Sequence, residues 1–256
     1  MLKNKYGLML PISLAASLLC SPADRAASIT HESGVPRIAV IDSGIARTPE
    51  LGPLLEAEYD LATVPARPSF APRYDHGTMV ATILSRAAHR EVRLISLRID
   101  DPRGCPPGIS PPCQPRSAPI ADAIRTATRL GVDVINISLA MPSDPTIAAA
   151  IREAAAKRIP IVLAAGNDGR DHPGNLDAAR AGYPMAVLVG ATDGRGKVWQ
   201  HSNRPDRQIA GYRYTWQRGV DVPTAAADGR STRGTGTSFA APRESARIAG
   251  LARSAT

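Results

Sequence analysis

The sequence predicts an α/β fold with a mostly parallel central sheet and helices on both of its faces. Short apolar runs alternate with segments of helical period along most of the chain, which is the signature of βαβ units. The strand-type runs are apolar at consecutive positions, as strands covered on both faces must be. A length of 256 residues admits one large domain or at most two small ones, with room for a sizeable core.

After a polar stretch from Asp24 to Pro36, Ile38 to Ile41 is a short run of the buried-strand type. Gly77 to Ala88 has helical period through Met79, Val80, Ile83 and Leu84. Val92 to Ile99 predicts a strand, Ile120 to Leu130 a helix, and Val132 to Leu139 a strand rich in branched residues. Thr146 to Lys157 predicts a helix, Ile159 to Ala164 and Ala186 to Ala191 two strands, and Ser238 to Leu251 a closing helix. Two proline-rich segments, Pro65 to Pro72 and Pro102 to Pro119, are expected as surface insertions. There is no internal repeat and no long linker.

Composition removes several classes. With 43% hydrophobic and 21% charged residues, the chain is neither a disordered tail nor a multi-span membrane protein. The net charge of +8 comes mainly from arginines scattered singly, such as Arg86, Arg129, Arg180 and Arg218. Aromatics at 4% are too few for a base-stacking platform, so nucleic acid is not an expected partner.

Lys3 and Lys5 precede an apolar stretch from Leu8 to Leu19, and Ser21, Pro22 and Ala23 supply small residues after it. This is export-signal architecture, with cleavage expected after Ala23. The stretch is shorter than a membrane span needs and holds Pro11, so no stable membrane span is expected. Lipid attachment at Cys20 is the alternative, although Leu19 before it is large for such a site. The expected organisation is then a signal segment over 1–23, a short polar segment over 24–34 and one compact domain over 35–256. In an oxidising compartment Cys105 and Cys113, which bracket CPPGISPPC, are expected to form a disulfide. The alternative is two unpaired thiols in a loop. Zinc is not expected, because there is no paired C-x-x-C and no histidine near either cysteine.

Three strand or helix ends carry chemically capable residues. Ile38-Ala39-Val40-Ile41 ends in Asp42-Ser43-Gly44, Asp75-His76-Gly77-Thr78 precedes a helix, and Gly234-Thr235-Gly236-Thr237-Ser238 delivers a serine to the first turn of another. Each has an ordinary structural explanation: a turn cap for Asp42, a helix-start residue for His76, an N-cap for Ser238. A fourth element, Ala164-Ala165-Gly166-Asn167, adds an amide donor at a further strand end. In parallel sheets active groups gather at the carboxyl ends of strands. His31, His89, His172 and His201 lack the Gly-Thr helix start that follows His76 and are read as surface residues.

Taken together, PRIAVIDSG, DHGTMVATI, AAGN and GTSFAAP resemble, in order, the aspartate, histidine, oxyanion and nucleophile segments of the subtilisin-like serine proteases. The likeness runs from about Val35 to Leu251 and implies a subtilisin-like three-layer architecture. It also implies a secreted or periplasmic serine endopeptidase that acts through an acyl-enzyme on polypeptide substrates. Asp42, His76 and Ser238 would be the triad, with Asn167 in the oxyanion hole. VDVINISLA is similar to the strand before the family's substrate-binding edge, so Ser138, Leu139 and Ala140 would pair with substrate, and Ala164, Ala165 and Gly166 would wall the primary pocket. The chemistry requires no metal or other cofactor. Structural calcium is left open: Asp100, Asp101, Asp168 and Asp171 are acidic loop positions but match no calcium motif.

The sequence departs from the family at Asp75 and Ala140, where glycine is usual, at Met79, where histidine is common, and at Arg243-Glu244, where His-Val is usual. These changes can alter substrate fit without removing a catalytic group. Only a short segment separates the expected cleavage site from Val35, where secreted relatives carry a folding propeptide. Either the domain folds without one or a separate folding partner or inhibitor supplies the function. The alternative function is a catalytically silent relative that binds peptides or a partner protein. An α/β-hydrolase is excluded, because no histidine follows Ser238 and Ala240 stands where that fold's nucleophile turn needs glycine.

Overall fold

The computed structural model describes residues 34–253, apart from 108, 110, 208 and 209, together with Met1. Residues 2–33, which carry the expected export signal and Cys20, lie outside the described residues.

In chain order the elements are β1 (Arg37–Asp42), β2 (Leu55–Asp60), α1 (His76–Ala87), β3 (Arg93–Arg98), α2 (Ser117–Leu130), β4 (Val134–Ile137) and α3 (Pro145–Ala156). There follow β5 (Ile161–Ala164), α4 (Leu176–Ala181), β6 (Ala186–Thr192), β7 (Arg213–Arg218), β8 (Val222–Ala225), β9 (Ser231–Gly234) and α5 (Thr237–Arg253). Seven strands form one sheet in the order β2-β3-β1-β4-β5-β6-β7, with every neighbouring pair parallel. The remaining two, β8 and β9, pair as an antiparallel hairpin.

Successive strand residues point to opposite faces, and the two faces build two cores. Ala39, Ile41, Ile135, Ile137, Leu163 and Leu188 face a core closed by residues of α2, α3 and α4. Ile38, Val40, Val134, Val162 and Val187 face the opposite one, closed by α1 and α5. The result is the three-layer α/β arrangement that the unbroken apolar runs predict.

Local chemistry sets the helix ends. The Asp144 carboxylate caps α3 by accepting from Thr146 N at 2.7 Å, with Pro145 at the first helical position. Gly131, at φ +62°, ends α2 in the left-handed conformation that suits glycine. Pro119, which the sequence reading places in a non-helical insertion, lies in the first turn of α2, where no N–H is required of it. Among the described residues, no helix is long and apolar enough to cross a membrane.

Candidate active site

The chain runs from β1 outward to β2 and β3, then returns across β1 to continue with β4 on its other side. The strand order reverses at β1, and a crevice opens beyond the carboxyl ends of the strands on either side of such a reversal. Asp42 is the last residue of β1 and is fully buried there.

The Asp42 carboxylate is held on several sides. Oδ1 accepts from Ser43 N at 2.7 Å and from the Ser43 hydroxyl at 3.2 Å. His76 Nδ1 lies 2.9 and 3.0 Å from the two carboxylate oxygens, so this nitrogen carries the ring proton and Nε2 is left as the basic end. His76 opens α1, and the start of that helix is sewn to the loop after β1. Gly77 N donates to Ser43 Oγ at 3.1 Å, and Ala46 N donates to Thr78 Oγ1 at 2.9 Å. Serine 43 thereby satisfies one of the donors that a helix start leaves free. A Cβ at position 77 would stand 2.2 Å from Gly44 O, so only glycine permits this approach. Asp75 does not cap its own helix; its carboxylate accepts from Ala227 N at 2.8 Å and ties the turn between β8 and β9 to the residue before His76.

Ser238 lies in the first turn of α5, and its hydroxyl donates to Ser138 O at 2.9 Å. Among the described residues it makes no hydrogen bond to His76, although both side chains line one cavity of about 1160 Å³. The ring of Phe239, the next residue, lies 5.4 Å from the His76 ring. Asn167 Oδ1 accepts from Thr237 N and from Thr237 Oγ1, each at 2.9 Å, so the amide nitrogen is the end left to donate. The glycine before Thr237, Gly236, has φ +149°, and a Cβ there would come within 3.2 Å of Asn167 Nδ2.

Ser138, Leu139 and Ala140 also line the cavity; Ser138 and Leu139 are buried and Ala140 is exposed. Ala164 and Ala165 are buried behind Asn167 and, like Gly166, are not part of the cavity lining. Their contribution is to place the loop that carries Asn167. Gly166 takes φ +101°, where a Cβ would stand 2.4 Å from Asn203 Nδ2.

Two asparagines that the sequence reading did not single out organise these segments. Asn203 Oδ1 accepts from Asp168 N and Arg170 N, and its own N–H donates to Gly166 O. Asn175 Nδ2 donates to Leu139 O and Ala164 O at 2.9 Å each, while its Oδ1 accepts from Met141 N. The available signal for Asn175 is its left-handed backbone, φ +56°, which asparagine tolerates better than most residues. From sequence alone neither differs from an ordinary loop asparagine.

The proline-rich segment after β3 is more than a surface insertion, since Asp101, Arg103, Cys105, Ile109 and Cys113 form another wall of the cavity. A disulfide joins Cys105 to Cys113, with Cα atoms 5.3 Å apart. The segment is anchored by Asp101 N donating to Cys113 O, Cys105 N to the Tyr74 hydroxyl, and Gln114 Nε2 to Ile99 O.

Guanidinium groups meet three of the four carboxylates considered for calcium. Asp100 meets Arg67 at 2.9 Å and Arg98 at 3.1 Å, and Asp171 meets Arg204 at 3.2 Å. Arg103 hydrogen-bonds Asp101 and holds its carboxyl low, at about 2. Asp168 Oδ2 accepts from Asn203 Nδ2. Among the described residues, no three histidine, cysteine or acidic side chains gather as a metal cluster. His89, His172 and His201 are exposed and stand away from the cavity.

The sequence profile of the Subtilase family matches residues 34–256. Subtilisin BL of Lederbergia lenta is 30% identical over 183 residues, which cover 67% of this chain and 58% of that protein. The thermophilic serine proteinase of Bacillus sp. (strain AK1) is 29% identical over 244 residues, covering 90% of this chain and 54% of that protein. The chain thus spans little more than half the length of these relatives. Among solved structures, a cold adapted subtilisin-like serine proteinase superposes with a TM-score of 0.68 at 23% identity, covering 86% of this chain and 77% of that one. The S41 psychrophilic protease gives 0.69 at 26% identity, covering 86% and 78%.

Proposed function

This chain belongs to the subtilase family, and from that premise we propose that it is a serine endopeptidase with Asp42, His76 and Ser238 as its triad. The observation that carries the reading is the fixed tautomer of His76: Asp42 takes Nδ1, and only Nε2 remains to act as a base in the cavity that Ser238 lines.

A serine hydroxyl is a weak nucleophile until a base removes its proton. Rotation about the Ser238 side chain moves Oγ from Ser138 O toward His76 Nε2, a contact that often closes only when substrate is bound. As Oγ attacks the peptide carbonyl, its proton passes to Nε2, and the buried Asp42 carboxylate stabilises the imidazolium without taking the proton. Negative charge then grows on the carbonyl oxygen. Asn167 Nδ2 and the Ser238 N–H, in the first turn of α5, are placed to receive it. His76 returns the proton to the leaving amine, and a water activated by the same nitrogen hydrolyses the acyl-enzyme.

Polypeptide substrate would lie along Ser138 to Ala140 as an added strand, with Ala140 exposed to meet it. The segment from Lys3 to Ala23 supports export, and the disulfide suits an oxidising compartment. We place the protein outside the cytoplasm on those grounds. A separate folding partner or inhibitor remains part of the proposal.

Fluorophosphonate labelling of the purified protein tests the reading, since the probe needs an activated serine but no known substrate. Labelling is expected, and Ser238→Ala should abolish it. A folded protein that does not label would instead be a silent peptide binder, with Ser238 held on Ser138 O as in the resting structure.

A further inference from the structure

Three polar side chains are buried between α5 and the β4 region, and the chemistry above makes no use of them. Asn136 lies within β4, Ser138 just past its end, and Ser245 in α5; none is more than 1% exposed. The Ser245 hydroxyl donates to Asn136 Oδ1 at 2.9 Å, with Ala241 O as a second acceptor at 3.3 Å. Asn136 Nδ2 donates to Ser138 Oγ at 3.0 Å. The carbonyl of Ser138 in turn accepts the hydroxyl of Ser238. Ser245 follows Ser238 by close to two helical turns, so both lie on the side of α5 that meets the sheet.

Buried hydroxyl and amide groups of this kind add little net stability over apolar side chains of the same shape, because each must first give up water. Their effect is on register. If α5 slides along β4, the buried donors and acceptors lose their partners together, whereas apolar contacts would tolerate the shift. The start of α5 has particular need of such a tie. Pro242, four residues after Ser238, has no N–H to offer the Ser238 carbonyl, so the helix lacks one ladder bond at the nucleophile.

We propose that Ser245 and Asn136 are positioning residues. They fix the register of the helix that carries Ser238 against the segment Ser138 to Ala140, and so hold the nucleophile at the distance its base and oxyanion donors require. This rests on the serine endopeptidase reading.

The test measures the rate of fluorophosphonate acylation, together with kcat and KM for a peptide substrate, all per titratable site. The wild type is compared with Ser245→Ala, Ser138→Ala and the double variant. Alanine is a better helix former than serine, so Ser245→Ala is expected to fold. Its acylation rate and kcat should fall about fivefold, the worth of one buried hydrogen bond, with KM within about twofold. Because the two serines touch only through Asn136, the double variant should be no slower than the slower single one. Ser245→Thr, which keeps the hydroxyl, should restore the rate even though its methyl perturbs packing more than alanine does. If Ser245→Ala does not fold, Ser138→Ala and Ser245→Thr give the same comparison. Unchanged rates per site with only a lower Tm, or additive losses, would overturn the positioning role alone. A folded wild type that never labels would overturn the endopeptidase reading and this inference with it.

Discussion

Asn167 is directed by a contact made through its other end. Because Thr237 donates twice to Oδ1, the amide cannot turn over without losing both bonds, and Nδ2 stays toward the cavity. A donor fixed in advance stabilises developing charge without reorganising during the reaction, and so acts mainly on the transition state. Asn167→Ala is therefore expected to lower kcat by about 10²- to 10³-fold with little change in KM. Steady-state kinetics on a peptide substrate, at constant labelling stoichiometry, would check this; a loss residing in KM would assign Asn167 to ground-state binding. Asp42, His76, Asn167 and Ser238 were legible as candidates because each sits beside glycine or a small residue, Asp42 and Asn167 after apolar runs and His76 and Ser238 at helix starts. Their supports were not. Asn136, Asn175, Asn203 and Ser245 each meet a partner more than 30 residues away, and nothing in their local sequence marks which group that is.

At the scale of elements, the sequence was most readable where burial was complete. Strands β1, β3, β4, β5 and β6 lie inside the sheet and show apolar residues on both faces, so each was legible as a run. The edge strands β2, LEAEYD, and β7, RYTWQR, are mostly half-buried or exposed and carry charges, which removes that signal. Short α4 and the hairpin β8–β9 gave no period long enough to read. The disulfide segment shows the opposite case, since its covalent pairing was legible but its place against the cavity was not. Prolines exclude it from sheet and long helix without saying where it folds back. Replacing both Cys105 and Cys113 by serine should cost roughly 2 to 3 kcal/mol on the chain-entropy account of a short closed loop. The segment lines the cavity but brings none of the reacting atoms, so the same variant should raise KM more than it lowers kcat. Thermal unfolding and peptide kinetics on one preparation would test both, and a kcat loss at constant KM would show that the segment acts on the triad instead.

For the whole molecule, the decisive feature is that four segments distant in the chain meet because the strand order reverses at β1. What keeps that region assembled includes a cluster of opposite charges at the carboxyl ends of β2 and β3. Arg67 bridges Asp60 and Asp100, and Arg98 holds the other oxygen of Asp100, with the carboxylates almost wholly buried. Burial alone would push the Asp60 carboxyl up, but hydrogen bonds from Arg67, Thr63 and the Arg67 and Ala62 amides outweigh it and hold it well below the usual carboxylate range. A carboxyl depressed in the folded state contributes its stability above its unfolded value of about 3.9, and that contribution is lost as pH falls through this value toward the folded one. The Tm of the protein should therefore drop steeply below about pH 5. Asp60→Asn should lower Tm at neutral pH and flatten the acid limb, because the group that takes up the proton on unfolding is gone. Tm measured against pH for both proteins decides it: parallel acid limbs would mean that the cluster does not govern acid stability. Arg67 belongs to the proline-rich stretch from Pro65 to Pro72, so the Asp60 carboxylate, which accepts from both the Arg67 backbone and its guanidinium, also ties that stretch to the edge of the sheet.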